Sequence, residues 1–129
     1  LRNLRKTISI GLTVFKEDDL KSNYEIFEQI ISKIKTNKDE NTNLYFVFLP
    51  SLDRYHIKTK NDDEYRNKKD ILDIVRKIGI PVIDIHEEFF KMQKDPKKFF
   101  PFKREVHYTS EGYKQISKII FEKIQLLKN

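Results

Sequence analysis

Apolar residues recur at helical spacing in three stretches of this chain and crowd into short runs in two others. Tyr24, Phe27, Ile31 and Ile34, joined by Ile26 and Ile30, follow each other in steps of three and four, which places them along one side of a helix. Ser22-Asn23-Tyr24-Glu25 is a capping-box pattern that would open this helix, and the polar segment Thr36 to Asn43 would end it. A second stripe, Ile71, Leu72, Val75 and Ile78, predicts a helix over 68–78. Gly79 lies just past its end, where a left-handed residue commonly terminates a helix. The third stripe is Tyr113, Ile116, Ile120, Ile124 and Leu127, with Thr109 or Ser110 placed to cap its first free N–H groups.

The two apolar runs read as strands. Leu44-Tyr-Phe-Val-Phe-Leu49 does not alternate, so it predicts a strand covered on both faces, as in a parallel sheet. Pro50 stops it and leaves Ser51 and Asp53 just past its carboxyl end. Ile80-Pro-Val-Ile-Asp-Ile85 is the second, with Pro81 at its start, where a missing N–H is tolerated. Strand, helix and strand over 44–85 form a βαβ unit with an expected right-handed crossover. Both carboxyl ends, at Pro50-Ser51 and at His86, then face one edge of the sheet, outside which sites form in open α/β sheets. Leu52 to Asn67 reads as a polar loop, Glu87 to Gln93 as a short helix, and 95–102 as a loop with an aromatic anchor. Residues 1–15 fit a helical stripe and a strand alternation equally, interrupted by Gly11.

These patterns predict one α/β domain, or part of one, over residues 1–129: a three-layer α/β/α arrangement on a parallel sheet. Two strands are too few for such a sheet. Further strands are expected before Leu1, which makes the chain a C-terminal portion whose first partner is the N-terminal part of the same protein. No apolar run is long enough to span a membrane and no signal peptide is visible. Localisation stays open between bacterial cytoplasm and periplasm.

Composition narrows the chemistry. There is no cysteine, so disulfides and thiolate catalysis are excluded. The formal charge is +6, yet the cations are interleaved with 20 acidic residues. The densest basic patches, 2–6 and 97–104, are short. This reads as a solvated surface rather than a specific nucleic-acid interface. No Gly-rich phosphate loop is present.

The candidate chemistry centres on His107. It lies in the loop Phe99-Phe-Pro-Phe-Lys-Arg-Glu-Val-His-Tyr-Thr-Ser-Glu-Gly-Tyr113, between an aromatic cluster and the start of the last helix. A general base needs a titratable group that is held firmly and yet reachable; a capping or surface histidine is the plainer reading. His86 follows a strand end beside Asp84, Glu87 and Glu88. A metal site needs ligands converging from elsewhere, so these acids read as helix N-terminal charges. His56 reads as a solvated loop residue. Ser51 lacks a Gly-x-Ser-x-Gly elbow and reads as a turn residue lining the site.

Taken in order, the strand Leu-Tyr-Phe-Val-Phe-Leu-Pro-Ser, a helix, the strand Ile-Pro-Val-Ile-Asp-Ile-His, the Phe-Phe-Pro-Phe loop and His-Tyr-Thr-Ser-Glu-Gly-Tyr before the final helix resemble the C-terminal half of an SGNH (GDSL-type) hydrolase, over about residues 22 to 127. The resemblance implies the three-layer, flavodoxin-like α/β fold and ester hydrolysis or acyl transfer on a small acyl-ester or acylated-carbohydrate substrate, with no metal or organic cofactor. His107, with Gly112 behind it, matches the family's histidine block and takes its role as general base. The family's Gly-Asp-Ser block, glycine block and asparagine block have no match here. The family often carries an aspartate three residues before the histidine; Arg104 stands at that position. Three outcomes stay open: a backbone carbonyl orients His107 in a serine–histidine dyad, Glu105 or Asp84 supplies the acid, or the site is degenerate. A non-catalytic SGNH-like interaction or structural domain is the second reading, and a basic nucleic-acid-binding module the third.

Overall fold

The computed structural model describes residues 17–55, 63–104 and 107–128. The ambiguous segment 1–15, His56 and Glu105 lie outside them. The described residues form, in order, a helix α1 (Glu17–Asn37), a strand β1 (Phe46–Phe48), a helix α2 (Asp63–Lys77), a strand β2 (Val82–Asp84), a one-turn helix α3 (Ile85–Glu88) and a terminal helix α4 (Ser110–Lys128), with short 3-10 turns at Leu52–Tyr55, Phe90–Met92, Pro96–Phe99 and Pro101–Lys103. No described helix is long and apolar enough to cross a membrane.

α1 starts earlier than the capping box at Ser22 predicts: residues 17–21 are already helical. Along α1, Tyr24, Phe27 and Ile31 are half-buried, whereas Ile26, Ile30 and Ile34 remain about half exposed.

β1 and β2 are adjacent and parallel, with Phe46 opposite Val82, Val47 opposite Ile83 and Phe48 opposite Asp84. Both are shorter than the apolar runs suggest. Pairing among the described residues is confined to this two-stranded sheet, and the flanking Leu44, Tyr45 and Leu49 continue the apolar run without ladder bonds. All three residues of β1 are half-buried, while Ile83 of β2 is buried. The class is therefore α/β around a small parallel sheet.

α2 ends in a Schellman arrangement. Gly79 adopts φ 79, its N–H donates to Arg76 O at 2.8 Å, and Ile80 N–H donates to Val75 O at 3.2 Å. The positive φ explains why glycine stands there. Val75 and Ile80, the apolar pair that accompanies this motif, are both buried. α2 begins at Asp63, inside the stretch expected to be loop. Leu52 also departs from that expectation: it is 1% exposed and belongs to the core. The 3-10 turn at Leu52–Tyr55 folds it and Tyr55 inward beneath the end of β1.

The core is Leu52, Ile83, Ile85, Phe89, Phe90, Phe99, Phe100 and Ile116, with Val47, Tyr55, Tyr108, Ile119, Ile120 and Ile124 packed on it. Phe90 is its hub: its ring lies 5.4 Å from Tyr55, 5.1 Å from Phe89, 5.8 Å from Phe99 and 5.7 Å from both Phe100 and Tyr108. Burying one such ring contributes roughly 1.5–3 kcal/mol. The aromatic anchor around 99–102 splits in two. Phe99 and Phe100 are each 5% exposed, but Phe102 is 93% exposed and so does not brace the histidine loop as the Phe-Phe-Pro-Phe run suggests. Phe102 and Lys103 adopt φ 52 and φ 53, a conformation that costs a non-glycine residue about 1–2 kcal/mol. Pro101 holds the chain in this tight turn, which directs the ring outward.

Candidate functional site

A cavity of about 400 Å³ lies beyond the carboxyl end of β1, lined by Leu49, Pro50, Ser51, Leu52, Phe100, His107, Tyr108 and Tyr113. Three segments distant in sequence build it. Pro50 ends the strand ladder and is buried, so the chain turns sharply and leaves Ser51 exposed at the rim. Phe100 forms a wall from the core side. His107, Tyr108 and Tyr113 come from the loop and first turn that lead into α4.

The histidine loop is fixed by its neighbours rather than by the imidazole itself. Tyr108 is half-buried against Phe100 at 5.0 Å and Tyr113 at 5.5 Å, and its hydroxyl donates to the carbonyl of Pro50. Burial, with the neighbouring Tyr113 phenol adding to it, pushes the Tyr108 phenol up to about 12, so it stays a protonated donor. Thr109 N–H donates to Phe99 O at 2.7 Å. Of the two candidate caps it is Thr109 that serves: its Oγ1 accepts from Gly112 N–H at 3.1 Å, which satisfies one of the free donors of α4. Gly112 is itself required by close approach, because a Cβ there would meet Phe99 O at 3.0 Å and Tyr108 Cβ at 3.1 Å. His107 is exposed. It follows that its ring is open to solvent and to the cavity, and no hydrogen bond from that ring to another described residue is found.

His86 and Asp84 belong to a different constellation. Asp84 ends β2 and caps α3: its Oδ1 accepts from His86 N–H at 3.0 Å and Glu87 N–H at 3.3 Å. Its Oδ2 meets Lys68 Nζ at 2.6 Å, with both side chains 12% exposed. Lys68 Nζ also lies 3.7 Å from Glu87 Oε1 and 5.0 Å from the centre of the Phe48 ring. The Asp84 oxygens are therefore engaged at the end of β2, and Asp84 does not line the His107 cavity. His86 shares a hydrogen bond of 3.0 Å between its Nδ1 and the Tyr55 hydroxyl. Burial first, then the cations Arg54 and Lys68, lower its pKa to about 4, against the opposing pull of Glu87 and Asp84. It is a neutral, largely enclosed ring and does not line the cavity either. Arg104, in the acid slot of the resembling family, is exposed.

Of the residues singled out in the sequence, the fold brings Ser51 and His107 to one cavity and leaves Asp84 and His86 in another cluster. Among the described residues no three of His, Cys, Asp or Glu converge as a metal ion would require. Sequence reasoning missed Tyr108, which ties the loop to the strand end, and Lys68, which neutralises Asp84. The signal for Tyr108 was its adjacency to His107 in an aromatic stretch. For Lys68 there was none, since one lysine among many carries no mark of burial. Comparison with family models, with curated proteins and with solved structures finds no match to this chain.

Proposed function

We propose that this chain carries the histidine of a serine ester hydrolase or acyl-transfer enzyme of the SGNH type, on a three-layer α/β/α fold of which the two-stranded parallel sheet is part. The observation that supports this reading is the position of His107: solvent-reachable, on a loop fastened by Tyr108 and Thr109, facing a cavity at the carboxyl end of a parallel strand. In this reading His107 removes the hydroxyl proton of a serine as that oxygen attacks the acyl carbon. The protonated ring then returns the proton to the departing alcohol, leaving an acyl-enzyme that water or a second alcohol discharges. The attacking serine belongs to a Gly-Asp-Ser-type block beyond these 129 residues, and Asp84, engaged by Lys68, is not the group that orients the imidazole.

The test is turnover of a small aryl ester by the full-length protein, with His107→Ala beside it. Turnover falls about 10²- to 10⁴-fold and the melting temperature stays nearly unchanged, because an exposed ring contributes little packing. A serine-directed phosphonate, mapped by peptide mass, identifies the nucleophile; label on Ser51 would move the attacking group into this chain. Full activity in His107→Ala would defeat the reading. A non-catalytic SGNH-like domain is the second reading. Arg104 in the acid slot and the engagement of Asp84 favour it, and an intact protein with neither turnover nor phosphonate label would establish it.

A further inference from the structure

The turn Pro101–Lys103 presents a combination that the cavity does not explain. Phe102 is 93% exposed, although Phe99 and Phe100, three and two positions earlier, are both buried. Two successive residues with positive φ hold it out, so its exposure is built into the backbone rather than left by a loose side chain. Cations surround it in sequence: Lys97 and Lys98 in the preceding turn, Lys103 and Arg104 directly after it. The one described carboxylate of the stretch, Asp95, is spent on capping, accepting from Lys97 N–H at 3.1 Å, and lies 3.6 Å from Lys103 Nζ. Phe100, directly before the turn, lines the cavity.

We propose that this turn is a docking element for an anionic lipid surface, with Phe102 entering the headgroup boundary and the flanking cations meeting lipid phosphates. An exposed aromatic ring flanked in sequence by Lys and Arg suits an interface whose outer layer is negative and whose next layer is apolar. Single-stranded nucleic acid instead asks for a groove with successive stacking rings, and here the neighbouring rings are buried. The proposal is independent of ester hydrolysis.

These 129 residues contain no tryptophan, so Phe102→Trp, read as the difference from the unsubstituted protein, places a new reporter at the tip. Its emission is expected to shift to the blue on vesicles containing phosphatidylglycerol and to stay unshifted on pure phosphatidylcholine. In co-sedimentation with the anionic vesicles, Phe102→Ala lowers the partition coefficient about tenfold and Lys103→Ala about fivefold, and added salt weakens both the wild type and the alanine variants. Phe102 packs on nothing, so these variants fold. Unshifted Trp emission, or partitioning of Phe102→Ala equal to wild type, overturns the proposal. So does tighter binding of a single-stranded oligonucleotide than of the vesicles, with the Trp emission responding to it.

Discussion

The Tyr108 hydroxyl donates its proton to the carbonyl of Pro50, and through this bond the residue beside His107 is fastened to the residue that ends β1. The two are 58 positions apart in sequence. The bond closes one side of the cavity and also satisfies a carbonyl where the strand ladder has stopped, which a buried polar group requires.

Tyr108→Phe removes the donor and leaves that carbonyl without it. A loss of roughly 1–3 kcal/mol in unfolding free energy is expected, measured by urea denaturation. Tyr113→Phe, at a residue 50% exposed, should change little. Equal effects from the two would mean that the Pro50 bond contributes nothing.

Gly112→Ala should destabilise, although alanine is the better helix former by about 1 kcal/mol. The added methyl meets a backbone oxygen, Phe99 O, at 3.0 Å and Tyr108 Cβ at 3.1 Å, neither of which is the free end of a flexible chain. A net loss of about 1–3 kcal/mol is expected, read as a lower midpoint in thermal unfolding. Unchanged or raised stability would show that the loop gives way at no cost.

Two lysines adjacent in sequence should behave differently. Lys68 meets Asp84 with both side chains 12% exposed, so Lys68→Met should cost roughly 1–3 kcal/mol. Asp84→Asn added to it should recover part of that loss, because the amide oxygen still caps α3 while the uncompensated charge is gone. Lys69 pairs with Asp73 at 2.7 Å on the surface, 82% and 48% exposed. Lys69→Met should leave stability close to that of the wild type. A double-mutant cycle on Lys68 and Asp84 showing no coupling would refute the contrast.

His86 gives stability a specific pH dependence. Its folded pKa is lowered to about 4 from an ordinary 6.5, so the unfolded chain takes up the proton first. The contribution is fully present above about pH 6.5 and is lost as pH falls from there towards 4. The stability difference between wild type and His86→Gln should therefore shrink over that window, followed by denaturation at a series of pH values. A difference that is constant from neutral pH to pH 4 would mean that the ring titrates alike in both states.

Periodicity alone located α1, α2 and α4, because a stripe of apolar residues at steps of three and four is a local property of the chain. The parallel pairing of β1 with β2 was also accessible, since a run apolar on both faces joined through a helix leaves few other arrangements. Gly79 as a helix terminator followed from its place after the last apolar residue, and Thr109 was one of two caps the spacing allowed. Which side chains meet was another matter. Ser51, Asp84 and His86 stand at similar places in the sequence, just at or past a strand end. Tertiary packing sends Ser51 to the His107 cavity, ties Asp84 to Lys68, and encloses His86 against Tyr55. Nor did the run Phe99-Phe-Pro-Phe102 reveal that its first two rings are core and its last is exposed. That division depends on a backbone turn with two positive φ angles, and one-dimensional hydrophobicity carries no information about the direction in which a ring points.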